Sequence, residues 1–229
     1  MQSQRYTKTL ATITCLVIAL SVLIVMLPFD TTKRFDAAEY NYAIDTIVQL
    51  DGVPVFTQET NHTCYATSMV VVENYLGVDT TESALLNELS LQNRDTGLIP
   101  NEYISHANRA FNPLGYSVSL VNPKSEAMAL NIITASLLDG LPVVFYYSVI
   151  DDWNKPQFNT HYSVIFGIDM KSQTLMLSNP YGYMEELSFT TFFEGLSFKG
   201  FEPESFMHLM GRKVGLIRSN NLFVFSSIA

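Results

Sequence analysis

Residues 53–77 read "VPVFTQETNHTCYATSMVVVENYLG". From Cys64 onward the stretch lacks proline and internal glycine, and Gly77 supplies a stop, so a helix is expected to begin at or near Cys64. Its apolar positions are dense enough that this helix should be central and buried. The loop before it, "QETNHT", is polar. A cysteine placed at a helix start sits among unpaired backbone N–H groups and the positive end of the helix dipole, where a thiolate is favoured. Gln58, six residues upstream, is spaced so that its amide can fold back beside the thiol. There it and a backbone N–H could hold a developing oxyanion.

The rest of the 229-residue chain limits what such a thiol is for. The only other cysteine, Cys15, lies in an apolar N-terminal run, so there is no disulfide framework. Net charge is −9 and offers no basic surface to nucleic acid. No His/Cys/Asp cluster has metal-ligand spacing and no glycine-rich phosphate loop follows a strand, so no cofactor is expected.

Residues 9–29 are an uncharged run of about the length that crosses a bilayer as a helix, roughly 20 residues. Leu27, Pro28 and Phe29 close it and make a poor cleavage context. An uncleaved membrane anchor over residues 1–32 is therefore expected in preference to a signal sequence. Arg5 and Lys8 before the run balance Lys33 and Arg34 after it, so charge bias does not orient it. Its position at the start of the chain favours leaving the short end inside and the remaining domain outside the cell membrane. Residues 33–45 read as a tether, and residues 46–229 as one domain.

Within that domain, "TIVQLDGVPVF" alternates like a strand, with Pro54 limiting it to an edge or an end. "TTESALLNELSL" and "NEYISHANRAFNPLG" read as two further helices, the second ending at Pro113. "YSVSLV" then changes the period to that of a strand. "KSEAMALNIITASLLDG" is a helix closed by Gly140. "LPVVFYYSVI", "HYSVIFGID", "TLMLSNPYG" and "NLFVFSSI" read as strands, with "MKSQ" as a hairpin connection. Helices first and mostly strands afterwards argue for an α+β fold with one antiparallel sheet.

A nucleophilic thiol needs a base. His62 is on the loop two residues from Cys64 and reads as a surface residue. His106 is mid-helix, and His208 lies in the undistinguished "FMHLMG". His161 opens an alternating strand, and a strand-edge imidazole facing a helix start is the arrangement a Cys–His pair requires. Asn179 would lie beside His161 if the two strands form a hairpin, as an acceptor that orients the ring. Singly, each residue has an ordinary explanation: a buried thiol, a surface amide, a strand histidine with a satisfied hydrogen bond, a turn-forming Asn-Pro. Trp153 reads as a packing residue, and "NPYGY" as either a substrate wall or a turn. In this order and context, the four together favour catalysis.

The pieces "VPVFTQETNHTCYATSMVVVENYLG", "GLIPNEYISHANRAFNPLGYSVSLV", "LLDGLPVVFYYSV", "HYSVIFGID" and "SNPYG" resemble the papain-like cysteine peptidases. They are most similar to the branch of bacteriocin leader peptidases that cut after double-glycine leaders. The resemblance implies a papain-like fold, with the catalytic cysteine on a central helix packed against the sheet. It also implies that Gln58 contributes to the oxyanion hole, Cys64 is the nucleophile, His161 the base and Asn179 its orienter. The family often has a small residue after the cysteine. Tyr65 stands there instead, and its ring is expected to narrow the cleft or change what enters. The family's exporter portion has no counterpart in this sequence, which weakens leader cleavage as the specific role. The expected function is a membrane-anchored cysteine peptidase acting on a peptide or protein through a Cys64 acyl-enzyme. The alternatives are an acyl-transfer, transglutaminase-like enzyme on the same site and a non-catalytic peptide-binding module.

Overall fold

The computed structural model describes residues 42–43, 45–149, 159–198 and 219–228, all within one compact unit of the chain. Residues 9–29, Trp153 and His208 lie outside the described residues, so the expected anchor, packing role and histidine are not among the features below. Among the described residues no helix is long and apolar enough to cross a membrane.

Helix α1 spans Cys64–Tyr75 and is buried without interruption from Cys64 to Glu73, as its all-round apolar sequence requires. It packs against α3, Pro100–Phe111, and against strand β4, Asn159–Asp169. Helix α2, Glu82–Glu88, starts where Thr81 accepts a hydrogen bond from the Ala84 N–H. At the start of α3 the Glu102 carboxylate accepts from the Ile99 N–H at 3.2 Å, and Pro100 occupies the first turn, where its missing N–H costs nothing. Helix α4, Glu126–Leu138, is capped by Ser125 and closed at Gly140, whose φ of +76° suits glycine.

Among the described residues the sheet has seven strands, and every pairing is antiparallel. The remaining strands are β1, Ile47–Gln49, β2, Tyr116–Val121, β3, Val143–Val149, β5, Thr174–Asn179, β6, Tyr183–Ser188, and β7, Asn221–Ser227. Their order is β2-β7-β3-β4-β5-β6, with β1 also on β4. β4 is long enough to serve two neighbours end to end: residues 159–165 pair with β3, and residues 167–169 pair with β1.

Successive residues of a strand face opposite sides, and both sides of this sheet are filled. On one, Tyr162 of β4 stacks on Tyr103 of α3 at 4.7 Å, with Phe223 of β7 4.3 Å from Tyr103. On the other, Phe145 of β3 meets Phe192 of α5, Phe189–Leu196, edge-on at 5.2 Å.

The α+β reading holds, with three differences. The segment "TIVQLDGVPVF" forms a strand only over Ile47–Gln49, because Asp51 and Gly52 turn the chain, with Gly52 at φ +77°. Strand β6 and helix α5 were not expected. β6 is a sheet edge with its residues largely exposed, so it carries the charged "MEEL" in place of an apolar run. Tyr65 is wholly buried in the core and does not project into a cleft.

Candidate active site

Cys64 is the first residue of α1, as the sequence reading expects, and its thiol is buried. Backbone N–H groups of Tyr162, Tyr65 and Cys64 itself approach the sulfur. Tyr162 follows His161 in β4, so backbone next to the candidate base bears on the acidity of the thiol.

The helix start does pull the thiol pKa down, through the backbone of Tyr65 and Cys64, but the net shift is upward. Burial pushes Cys64 up to about 11; the three backbone contacts pull it down by less, and the charge of Glu82 adds a smaller upward push. The magnitudes explain the outcome. A helix terminus contributes at most about 2 kcal/mol, whereas full desolvation shifts a pKa by several units. In this setting a thiolate needs a partner to take the proton.

His161, buried in β4, is held by Asn179: Nε2 and the Asn179 Oδ1 are 3.0 Å apart. The β4–β5 hairpin that the sequence suggested is present, and the tight Lys171–Ser172 turn joining it is bound by the Asp169 carboxylate. The same Asn179 Oδ1 accepts from the Tyr181 N–H at 3.0 Å, which closes the Asn-Pro turn. An oxygen that accepts from both sides leaves Nε2 as the protonated nitrogen of a neutral ring. The lone pair then falls on Nδ1, the nitrogen that can serve as a base. Tyr181 lies flat on the imidazole, with centroids 4.4 Å apart and planes at 11°. The "NPYGY" stretch is thus both a turn and a wall of the site.

Gln58 is tied to that same turn. Its backbone N–H donates to the Pro180 carbonyl at 2.7 Å, and Thr57 bridges Tyr181. Gly182 must be glycine: its φ is +91°, and a Cβ there would collide with the Thr57 hydroxyl. The Gln58 side chain donates one Nε2 hydrogen to the Thr60 carbonyl at 2.7 Å and keeps a second N–H, while its Oε1 is buried without a hydrogen-bond partner. Below this loop the buried Glu82 carboxylate accepts from the Glu59 N–H at 3.1 Å and from the Thr67 hydroxyl. Glu82 therefore pins the loop that follows Gln58 to α1, a role the sequence reading did not assign.

The other histidines are placed elsewhere. His62 Nε2 is 3.1 Å from the Arg94 carbonyl and stitches two loops together. His106, on α3, is held below the usual histidine range, first by burial and then by Arg109 and Arg94. Among the described residues no group of three His, Cys, Asp or Glu side chains is placed to hold a metal ion.

Glu185 of β6 was missed. Its Oε1 accepts from the Asn179 Nδ2 at 2.8 Å. The signal was available in principle: a tight glycine turn after Asn179 followed by "YMEELS" implies a hairpin whose alternation puts Glu185 on the face of Asn179.

Residues 50–202 match the Peptidase_C39 like family. Among solved structures, a double glycine motif protease from an AMS/PCAT transporter in complex with the leader peptide is similar, at 13% identity and a TM-score of 0.50, over 78% of this chain and 94% of that one. The peptidase domain of Streptococcus ComA aligns at 14% identity and a TM-score of 0.42, over 59% and 86%. Xylellain, a cysteine protease from Xylella fastidiosa, aligns at 12% and 0.45, over 70% and 88%. The first of these is a likeness of fold. No curated protein matches the sequence.

Proposed function

The chain belongs to the Peptidase_C39 like family and is a cysteine-type peptidase, and we propose from that premise that it hydrolyses a peptide bond through a thioester on Cys64. The observation that carries the reading is the His161–Asn179 hydrogen bond, with the Cys64 thiol against the backbone of the adjacent Tyr162.

His161 Nδ1 takes the thiol proton, and the sulfur attacks the carbonyl carbon of the scissile bond. The oxyanion that forms is received by the Cys64 backbone N–H at the helix start and the second Nε2 hydrogen of Gln58. Collapse of the tetrahedral intermediate breaks the C–N bond, and the imidazolium gives its proton to the leaving amine. Water, deprotonated by His161, then attacks the thioester, releases the acid and regenerates the thiol. Asn179 keeps Nε2 protonated throughout, so one nitrogen carries every transfer.

The substrate is a peptide or an extended protein segment; the bound leader peptide in the similar structure supports that class. The apolar run at residues 9–29 would tether the enzyme to the cell membrane with this domain outside it.

The test is to incubate the full chain with a peptide library, with and without a primary amine, and to weigh the products. Cleaved peptides bearing new carboxyl ends are expected with or without the amine. Amide adducts in place of acids would turn the reading to acyl transfer. Peptides left whole by the wild type would remove it. For location, protease added to intact cells should reach the domain, and protection until lysis would move it inside.

A further inference from the structure

We infer that Glu185, holding Nδ2 while the Tyr181 N–H holds Oδ1, completes the pair of contacts that sets which way the Asn179 amide faces, and through it which nitrogen of His161 carries the proton. The inference rests on the proposed roles of Cys64 and His161, and assigns Glu185 as a positioning residue.

In the β5–β6 hairpin Asn179 is opposite Tyr183 and Leu177 is opposite Glu185, so Asn179 and Glu185 are diagonal neighbours on one face. Asn179 is buried, and Glu185 is half-buried beside it. A carboxylate only accepts, so it holds the Nδ2 end of the amide and leaves Oδ1 for His161. The more distant Tyr183 hydroxyl, at 3.5 Å, reinforces the same end. If the amide turned over, Nδ2 would face the ring, Nε2 would have to accept, and the proton would move to Nδ1. The nitrogen meant to act as a base would then be occupied.

The surroundings of Glu185 fit this role better than an ordinary surface charge. Among the described residues no lysine or arginine pairs with it, and its charge is felt by the buried Tyr147, in a group with Tyr181 and Tyr183. An anion placed among phenols and an amide is an acceptor held in place for the amide.

The arrangement also makes asparagine at position 179 and glutamate at 185 a matched pair. Aspartate at 179 would put two carboxylates in contact, and they could coexist only by sharing a proton. Glutamine at 185 would then restore a donor facing an acceptor.

The test uses the full chain with His labelled in 15N, reading the His161 ring nitrogens directly and the iodoacetamide alkylation rate of Cys64 across pH. Glu185→Gln should keep the Nε2–H tautomer and the wild-type rate. Glu185→Ala should mix the tautomers and slow alkylation roughly tenfold, the order expected for one charge-assisted hydrogen bond. Asn179→Asp should add a titration step to the alkylation profile, and Asn179→Asp with Glu185→Gln should remove it. An unchanged tautomer in Glu185→Ala would overturn the inference, as would identical profiles for Asn179→Asp alone and in combination with Glu185→Gln. Slow alkylation of the wild type would count against the proposed function, while the tautomer reading would still decide the role of Glu185.

Discussion

The proposed nucleophile and its proposed base are secured by different means. Cys64 is surrounded by backbone and apolar packing: it is fixed by where a helix begins, and the charge of Glu82 adds a small push against its ionisation. His161 is fixed by a relay of side chains, from Asn179 to Glu185, with Tyr181 stacked across the ring. Burial alone makes the thiol a poorer acid, so the power to ionise it must come from the histidine side. One half supplies position and the other supplies proton chemistry.

The largest expected effect tests whether the two halves act as a unit. Cys64→Ala and His161→Ala should each lower peptide turnover by roughly 10⁴ or more, and the double variant should be little worse than either. Additive losses would mean that the halves work separately. His62→Ala, by contrast, should be mild.

The next tests where the acidity resides. Burial raises the thiol to about 11, and a thiol at that value is ionised at pH 7 to about one part in 10⁴ unless a partner takes its proton. Alkylation of Cys64 in His161→Ala should therefore fall at pH 7 by about 10³ and recover only as pH rises toward that value. The wild type should react readily at mildly acidic pH, as a thiolate–imidazolium pair. Matching pH profiles for the two proteins would place the acidity in the helix terminus instead.

Gln58→Ala should cost about 10²–10³ in turnover, the usual effect of losing one oxyanion donor, with little change in Cys64 alkylation, which forms no oxyanion. A loss of alkylation of the same size would show that Gln58 acts on the thiol and not on the intermediate.

The smallest effect concerns titration farther along α1. Burial, with a lesser push from Glu88, raises Glu73 from 4.5 to about 7. The folded state thus holds this proton more tightly than the unfolded state. Its contribution to stability is complete below about pH 4.5, declines as pH rises to about 7, and is flat above that. Glu73→Gln should remove the decline and stabilise the protein at pH 8 by about 1–3 kcal/mol, read from urea unfolding. A pH-independent difference between the two proteins would show that burial does not govern titration along this helix.

The two halves also differed in how far the sequence exposed them. The start of α1 was legible because helix boundaries are written locally: a polar loop, a run without breakers, then glycine. The His161–Asn179 pairing was legible because both residues sit in strands joined by a short turn. Glu185 was not, because exposed edge strands carry charge and lose the apolar alternation by which strands are read. The orientation of Tyr65 was misread because position relative to the cysteine does not say which side of a buried helix meets solvent. The thiol's acidity was misread because desolvation depends on what lies across from the helix, which no local pattern records.

The place of β7 in the sheet has a consequence for how the protein is made. β7 lies between β2 and β3, and among the described strands β2 has no other partner. Residues 116–121 therefore leave the ribosome about a hundred residues before the strand that completes them. Until then both β2 and β3 present open edges, the surfaces on which chains join one another. A product cut short before Asn221 would carry Gln58, Cys64, His161, Asn179 and Glu185, yet lack the strand that closes the sheet around them. Such a fragment should aggregate and not work as a smaller enzyme, because the edges that β7 covers stay open.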